Sequence, residues 1–257
     1  MKSFAHSTTS ISNSQNSVAS TTYGGTSQTD FDYESYGQGA YIVNDHQLYY
    51  LEYGSGTSFA YTNPSSNLVH TFDGNHDDYY HDISIAPDGT VYMTSHDEIV
   101  SISTSNAVTG ITYPSGVSNS TTNADYKQIS VDSNGDVHLL AYHDLAMRIY
   151  TWIYDTSSSS WNSGIDSGSG SITDVGPGRS SLTVDSNTQP HIAFMKGSSA
   201  TDTNSFVTYS YYDNSGSNWI TRFTDQTPSG WSGVSLELDS NDNVHLAWVD
   251  NGNRTLY

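Results

Sequence analysis

Asp132, Asn134 and Asp136 place oxygen-bearing side chains at alternate positions, and Asp239, Asn241 and Asn243 repeat the spacing. Alternating hard oxygen donors are what a calcium loop wraps around its ion, but such a loop also needs Gly at its sixth position and an acid at its twelfth. Here Gly135 stands fourth and His143 twelfth. Asn-Gly chemistry favours a tight hairpin turn in which the Asp caps its own backbone. The turn is the preferred reading, so no metal site and no cofactor are expected. His138, His191 and His245 share one column of the same recurring stretch, and Tyr49 and Tyr92 fill it in the earlier copies. Since Tyr stands in for His there, the column is read as an amphipathic structural position and not as a ring of ligands.

A second group of residues could do chemistry at the opposite ends of the same strands. Where the second strand of each copy stops, the chain has Gly54, Asp97, His143, Lys196 and Asp250. Leading into the first strands are Tyr79, Tyr80, His81 and Asp82, then Tyr126 and Lys127, then Arg179, then Trp231. Aromatic faces stack on the apolar C–H surfaces of sugars while neighbouring polar groups fix hydroxyls. Tyr80, His81, Asp97, Tyr126, His143, Arg179, Lys196, Trp231 and Asp250 are therefore the candidate ligand-binding set. Glu52, Asp82, Asp97, Asp144 and Asp250 supply carboxylates at the same end, and two at a defined separation would be needed for glycoside hydrolysis.

The elements that must position these groups repeat. Ile83 to Ser95, Val131 to Leu140, Leu182 to Phe194 and Leu236 to Trp248 each read as strand, tight turn and strand, and Ala40 to Glu52 is a fainter copy. Taking Leu48, Val91, Val137, Pro190 and Val244 as marks, the spacings are 43, 46, 53 and 54 residues. Period-two alternation broken by Asn, Asp, Gly and Ser, with no helical stripe, predicts an all-β fold. A repeat of this length suits a four-stranded propeller blade. The expected blades start with Ala40–Val43, Leu48–Tyr53, Ser58–Thr62 and Leu68–Phe72, followed by Ile83–Ala86, Thr90–Ser95, Ile99–Ser103 and Ile111–Tyr113. Gln128–Asp132, His138–Tyr142, Arg148–Asp155 and Trp161 onward form the third. Ser181–Asp185, His191–Met195, Phe206–Asp213 and Trp219–Phe223 form the fourth. The last has Val234–Asp239 and Val244–Val249 but lacks an outer strand, which Ser17–Tyr23 is expected to supply, closing a five-bladed ring. The rival expectation is that the chain is a piece of a longer propeller. Residues 1–16, rich in Ser, Thr and Asn, are expected as a disordered tail, and 17–257 as one propeller domain.

Composition bounds the partners. The formal charge is −20, from 27 acidic against 7 basic residues. Such a surface repels phosphate backbones and anionic bilayers, so no nucleic-acid partner is expected. No apolar run is long enough to span a bilayer as a helix, and no membrane insertion is expected. There is no cysteine, which excludes disulfides and thiolate chemistry. Twenty Tyr, 5 Trp and 7 Phe compensate for an apolar content of only 34%. The Ser, Thr, Asn, Gly and Tyr richness resembles exported or virion-surface proteins, although no apolar leader follows Met1-Lys2. An extracellular or surface-associated setting is expected, with any native leader missing from this sequence.

The repeat, as Ser130 to Ala141, Ser181 to Ala193 and Ser235 to Ala247, resembles those of the sialidase-like, Asp-box superfamily of β-propellers and related bacterial or viral surface propellers. The resemblance covers about Gly39 to Tyr257 and implies architecture more than activity. It departs from the family in the box itself: Asp213 to Trp219 is one residue longer, and Asp155 to Trp161 lacks the Gly. Sialidases resemble one another in an arginine triad with a Tyr-Glu pair, whereas this chain has only Arg148, Arg179, Arg222 and Arg254. Arg148 and Arg222 fall within predicted strands, so the sialidase catalytic set is not expected. Five-bladed furanosidase-type enzymes resemble the layout in outline, through Tyr41 to Tyr53, without matching acids in the other blades. The preferred reading is a non-catalytic, lectin-like module for a surface glycan. A glycoside hydrolase or lyase using Asp and Glu of the same face is one alternative, and a protein-binding scaffold is the other.

Overall fold

Each recurring stretch folds as a hairpin because its turn residues satisfy their own backbone. In the third copy, Gly135 N–H donates to Asp132 O at 3.0 Å and Asp132 N–H donates to Asp136 O at 3.0 Å. Gly135 sits at φ 86°. This is a three-residue loop built on a type I turn, whose last residue must enter the left-handed region. Gly89 does the same at φ 85°, whereas Thr188 and Asp242 take that position at φ 61° and 60° despite carrying side chains.

The computed structural model describes residues 3–5, 31–33, 39–44, 47–52, 68–72, 82–95, 98–117, 127–143, 148–167, 180–196, 205–227, 234–250 and 255–256. All regular elements among them are strands, and the chain divides into two compact units, Met1–Thr112 and Tyr113–Tyr257.

The first unit contains β1 (Ser3–Ala5), β2 (Phe31–Tyr33), β3 (Gly39–Asn44), β4 (Gln47–Glu52) and β5 (Leu68–Thr71), hydrogen-bonded in that order as one antiparallel sheet. A second sheet follows as β6 (Asp82–Ile85), β7 (Val91–Thr94), β8 (Ile99–Ile102) and β9 (Val108–Ile111). Leu48 and Phe72 of the first sheet's segment join Ile83, Ile85, Val91, Met93, Val100 and Ile102 in one buried cluster. Two expectations change here. Leu68–Thr71 pairs directly with β4, taking the place beside it that was expected for Ser58–Thr62. The predicted inner strand β3 is flanked by β2, so it is not the edge of its sheet. Strand β1 lies within the stretch expected as a tail. Ser17–Tyr23 and Ser58–Thr62 lie outside the described residues.

The second unit follows the expected parse closely. Its first sheet has β10 (Gln128–Val131), β11 (Val137–His143), β12 (Arg148–Asp155), β13 (Ser160–Trp161) and β14 (Ile165–Asp166), the last two both pairing with β12. The next is β15 (Ser180–Val184), β16 (Pro190–Lys196), β17 (Ser205–Asp213) and β18 (Asn218–Thr227). The final sheet is β19 (Val234–Leu238), β20 (Val244–Asp250) and the two-residue β21 (Thr255–Leu256). The interruption between β13 and β14 turns on Asn162, whose Oδ1 accepts from Ile153 N–H at 3.0 Å and Gly164 N–H at 3.2 Å. Gly164, at φ 77°, lies so close to the buried indole of Trp152 that a Cβ would stand 2.5 Å from Nε1.

Strand β15 joins neighbouring sheets because alternate residues face opposite sides. Leu182 packs with Ile192 and Phe194 against Leu140 and Ile149, with Trp219 beside them. From the other side, Ser181 Oγ accepts Leu236 N–H at 3.1 Å. There Ala193, Val207 and Tyr209 pack on Val234 and Leu236, with Leu246 and Trp248 against them. Each buried Leu, Ile or Phe contributes about 1.5–3 kcal/mol.

Candidate functional site

The turn end of the second unit is held by Asp residues that each serve several donors. Asp132 Oδ1 accepts the N–H groups of Asn134 at 2.8 Å and Asp136 at 3.0 Å, and Oδ2 lies 3.1 Å from His138 Nε2. Asp185 Oδ1 accepts those of Asn187 and Gln189 at 2.8 Å, with Oδ2 bound by Gln189 Nε2 at 3.0 Å and His191 Nε2 at 3.4 Å. Asp239 repeats this with Asn241 N–H, Asn243 N–H and Asn243 Nδ2, while His245 Nε2 stands 3.7 Å away. Asp132 and Asp239, the first oxygen donors of the two calcium-like triplets, are thus occupied by their own turns, and His138 and His191 close two of the turns from the second strand.

Electrostatics follow from this geometry. Burial opposes ionisation of Asp132, but the bond from His138 and the N–H groups of Asp136 and Asn134 outweigh it and hold the carboxyl below its ordinary value. Asp185 is lowered in the same contest, with the Gln189 donors acting against burial. Asp239 is brought down to about 2, first by the Asn243 amide. Burial lowers His191 despite Asp185, and its Nδ1 lies 2.7 Å from Tyr209 Oη. Burial, with Tyr211 adding to it, pushes Tyr209 up to about 12. A general acid needs a raised carboxyl, and the shifted carboxyls of this end move the other way.

Neighbouring turns are tied together. Asp136 Oδ1 accepts Thr156 N–H at 3.0 Å, Gln189 Oε1 accepts Asn214 N–H at 3.3 Å, and Ser186 donates through N–H and Oγ to Asp242. The Asp-box-like turns also cap themselves. Asp155 Oδ1 accepts from Ser157 Oγ at 2.6 Å, and Asp213 Oδ1 accepts from Ser215 Oγ at 2.6 Å. Their left-handed residues are Ser159 and Ser217, both non-Gly. Trp161 and Trp219 follow, with ring centroids 5.1 Å from Tyr154 and 5.4 Å from Tyr212.

At the opposite end, His143, Lys196 and Asp250 close β11, β16 and β20, paired in register with Arg148, Phe206 and Thr255. Tyr80, His81, Asp97, Tyr126, Arg179 and Trp231 lie outside the described residues. Lys127, just ahead of β10, is almost wholly buried, its Nζ 4.8 Å from the centroid of Tyr113. A lysine beside a strand reads as solvated, so only the tertiary stacking on Tyr113 reveals this cation–π pair. The Asp–His closure had a readable signal, since His follows Asp by six residues in all three copies.

No protein-family model matches the chain, and no curated protein matches it in sequence. The fold, however, is similar to that of solved propellers. A structure described as the Dos1 propeller superposes with TM-score 0.52 at 13% identity, over 90% of this chain and 57% of that one. Kuenenia stuttgartiensis hydrazine synthase gives TM-score 0.52 at 10% identity, over 84% of this chain and 54% of that one. A putative 6-phosphogluconolactonase from Bacteroides uniformis gives 0.50 at 9%, over 87% and 67%. The chain therefore spans little more than half the length of the first two. At these identities the likeness is one of fold, and it extends the resemblance to propellers without bringing an activity.

Proposed function

We propose that the chain is a five-bladed propeller, completed by Ser17–Tyr23 on the last sheet, that acts as a non-catalytic carbohydrate-recognition module at a cell or virion surface. The observation that carries this reading is the division of labour between strand ends. The turn end spends its Asp, His, Asn and Ser groups on closing and linking hairpins. The other end of three strands closes on different residues, His143, Lys196 and Asp250, in equivalent places. Variation at one end of a constant scaffold is how binding surfaces are built.

In this reading Tyr126 and Trp231 provide stacking faces, Arg179 and Lys196 donate to hydroxyls or acidic groups, and Asp97 and Asp250 accept from hydroxyls. A glycan array probed with the full chain tests it. Binding is expected, and Trp231→Ala or Tyr126→Ala is expected to abolish it with the fold intact by circular dichroism. Binding that survives both changes would remove those residues from the site. If polysaccharide is cleaved instead, and Asp97→Asn or Asp250→Asn stops cleavage, the hydrolase or lyase reading replaces this one.

A further inference from the structure

Among the described residues, His138 Nδ1, Thr151 Oγ1 and Trp219 Nε1 are buried without a hydrogen-bonding partner. His138 and Thr151 are 1% and 0% exposed. Both stand on the face of their sheet that carries Leu140 and Ile149, by strand alternation and by the register Leu140 to Thr151. Trp219 packs against the cluster in which that face meets Leu182, Ile192 and Phe194. A buried polar group left unpaired costs about 1–3 kcal/mol, so three in one interface need a common account.

The sister sheet supplies it. Tyr209 faces Ala193 in register just as Thr151 faces Leu140, and its phenolic oxygen reaches His191 Nδ1 at 2.7 Å. Thr151 fills the same place with a much shorter side chain, and its oxygen does not reach His138 Nδ1. His138 Nε2 faces the Asp132 carboxylate at 3.1 Å and so presents a proton to it, leaving Nδ1 as the ring atom to be paired. Trp219 Nε1–H can only donate, and the Thr151 hydroxyl can do either.

We infer that an ordered water is bound in this interface, standing where the sister sheet places the Tyr209 phenol. It accepts from Trp219 Nε1–H and exchanges hydrogen bonds with His138 Nδ1 and Thr151 Oγ1. Three partners are the usual complement of a buried water, and their mixture of donor and acceptor suits no apolar guest.

A crystal structure of the full chain, at a resolution that shows solvent, tests this. Density for a water within hydrogen-bonding distance of all three atoms is expected. In solution, the Trp219 indole proton, assigned by its loss in Trp219→Phe, is expected to give a cross-peak to water. Thr151→Val, which removes the hydroxyl at nearly constant shape, is expected to lower the melting temperature by about 2–4 °C. A site without such density, or an indole proton without a water cross-peak, overturns the inference. So does a Thr151→Val variant that melts higher, because that is the behaviour of a bare hydroxyl.

Discussion

Gly164 offers a quantitative test of the second unit. Its φ of 77° would cost an alanine about 1–2 kcal/mol in the left-handed region. The added Cβ would also stand 2.5 Å from Trp152 Nε1 and 3.0 Å from two further indole atoms. That indole is buried, so it cannot swing away cheaply, and overpacking of this kind costs about 1–3 kcal/mol. Gly135 provides the control, with φ 86° and no atom within 4 Å of an added Cβ. Both alanines gain the same small relief, about 0.4–1 kcal/mol, from a stiffer unfolded chain. Gly164→Ala should therefore lose about 1–3 kcal/mol more than Gly135→Ala. All five tryptophans lie in residues 113–257, so urea unfolding followed by tryptophan fluorescence reports this unit. Equal losses in the two variants would refute the close packing of Gly164 on Trp152.

Two more outcomes follow from the turns. Thr188→Gly relieves the strain of a β-branched residue at φ 61° and should raise the unfolding midpoint, by up to about 1 kcal/mol after the flexibility gained by the unfolded chain; a lower midpoint would contradict the turn geometry. Burial holds His191 below the ordinary histidine value of 6.5, so the unfolded chain binds more protons as pH falls. The stability this contributes is present above about pH 6.5 and is lost on acidification from there towards the depressed folded value. Urea midpoints between pH 7.5 and 5 should fall for the parent protein and fall less for His191→Gln.

The hairpins were legible because their signal is local. Asp-Ser-Asn followed by a strand that begins with His or its neighbour fixes a turn and two faces within about ten residues. Pairing order is not local: Leu68–Thr71 carries the alternation of a strand, but nothing in it says whether a strand intervenes before β4. The insertion that splits β13 from β14 depends on Asn162 and on the room that Gly164 leaves for Trp152, a contact across strands. Of the candidate site, the strand ends at His143, Lys196 and Asp250 could be read from spacing. The burial of Lys127 could not, since its contact with Tyr113 joins residues distant in the sequence.

The links between adjacent turns, Asp136 to Thr156, Gln189 to Asn214 and Asp242 to Ser186, have a consequence for engineering. They tie the β10–β11 turn to the β12–β13 turn, and the β15–β16 turn to both the β17–β18 and the β19–β20 turns, so that a change at one of these hairpins is felt by the turn linked to it. Segments 144–147 and 197–204, which join β11 to β12 and β16 to β17 at the other end, differ in length without altering the paired strands they connect. New peptides grafted into those segments should leave folding intact, while the same peptides placed at Ser133 or Ser186 would cut these links between turns.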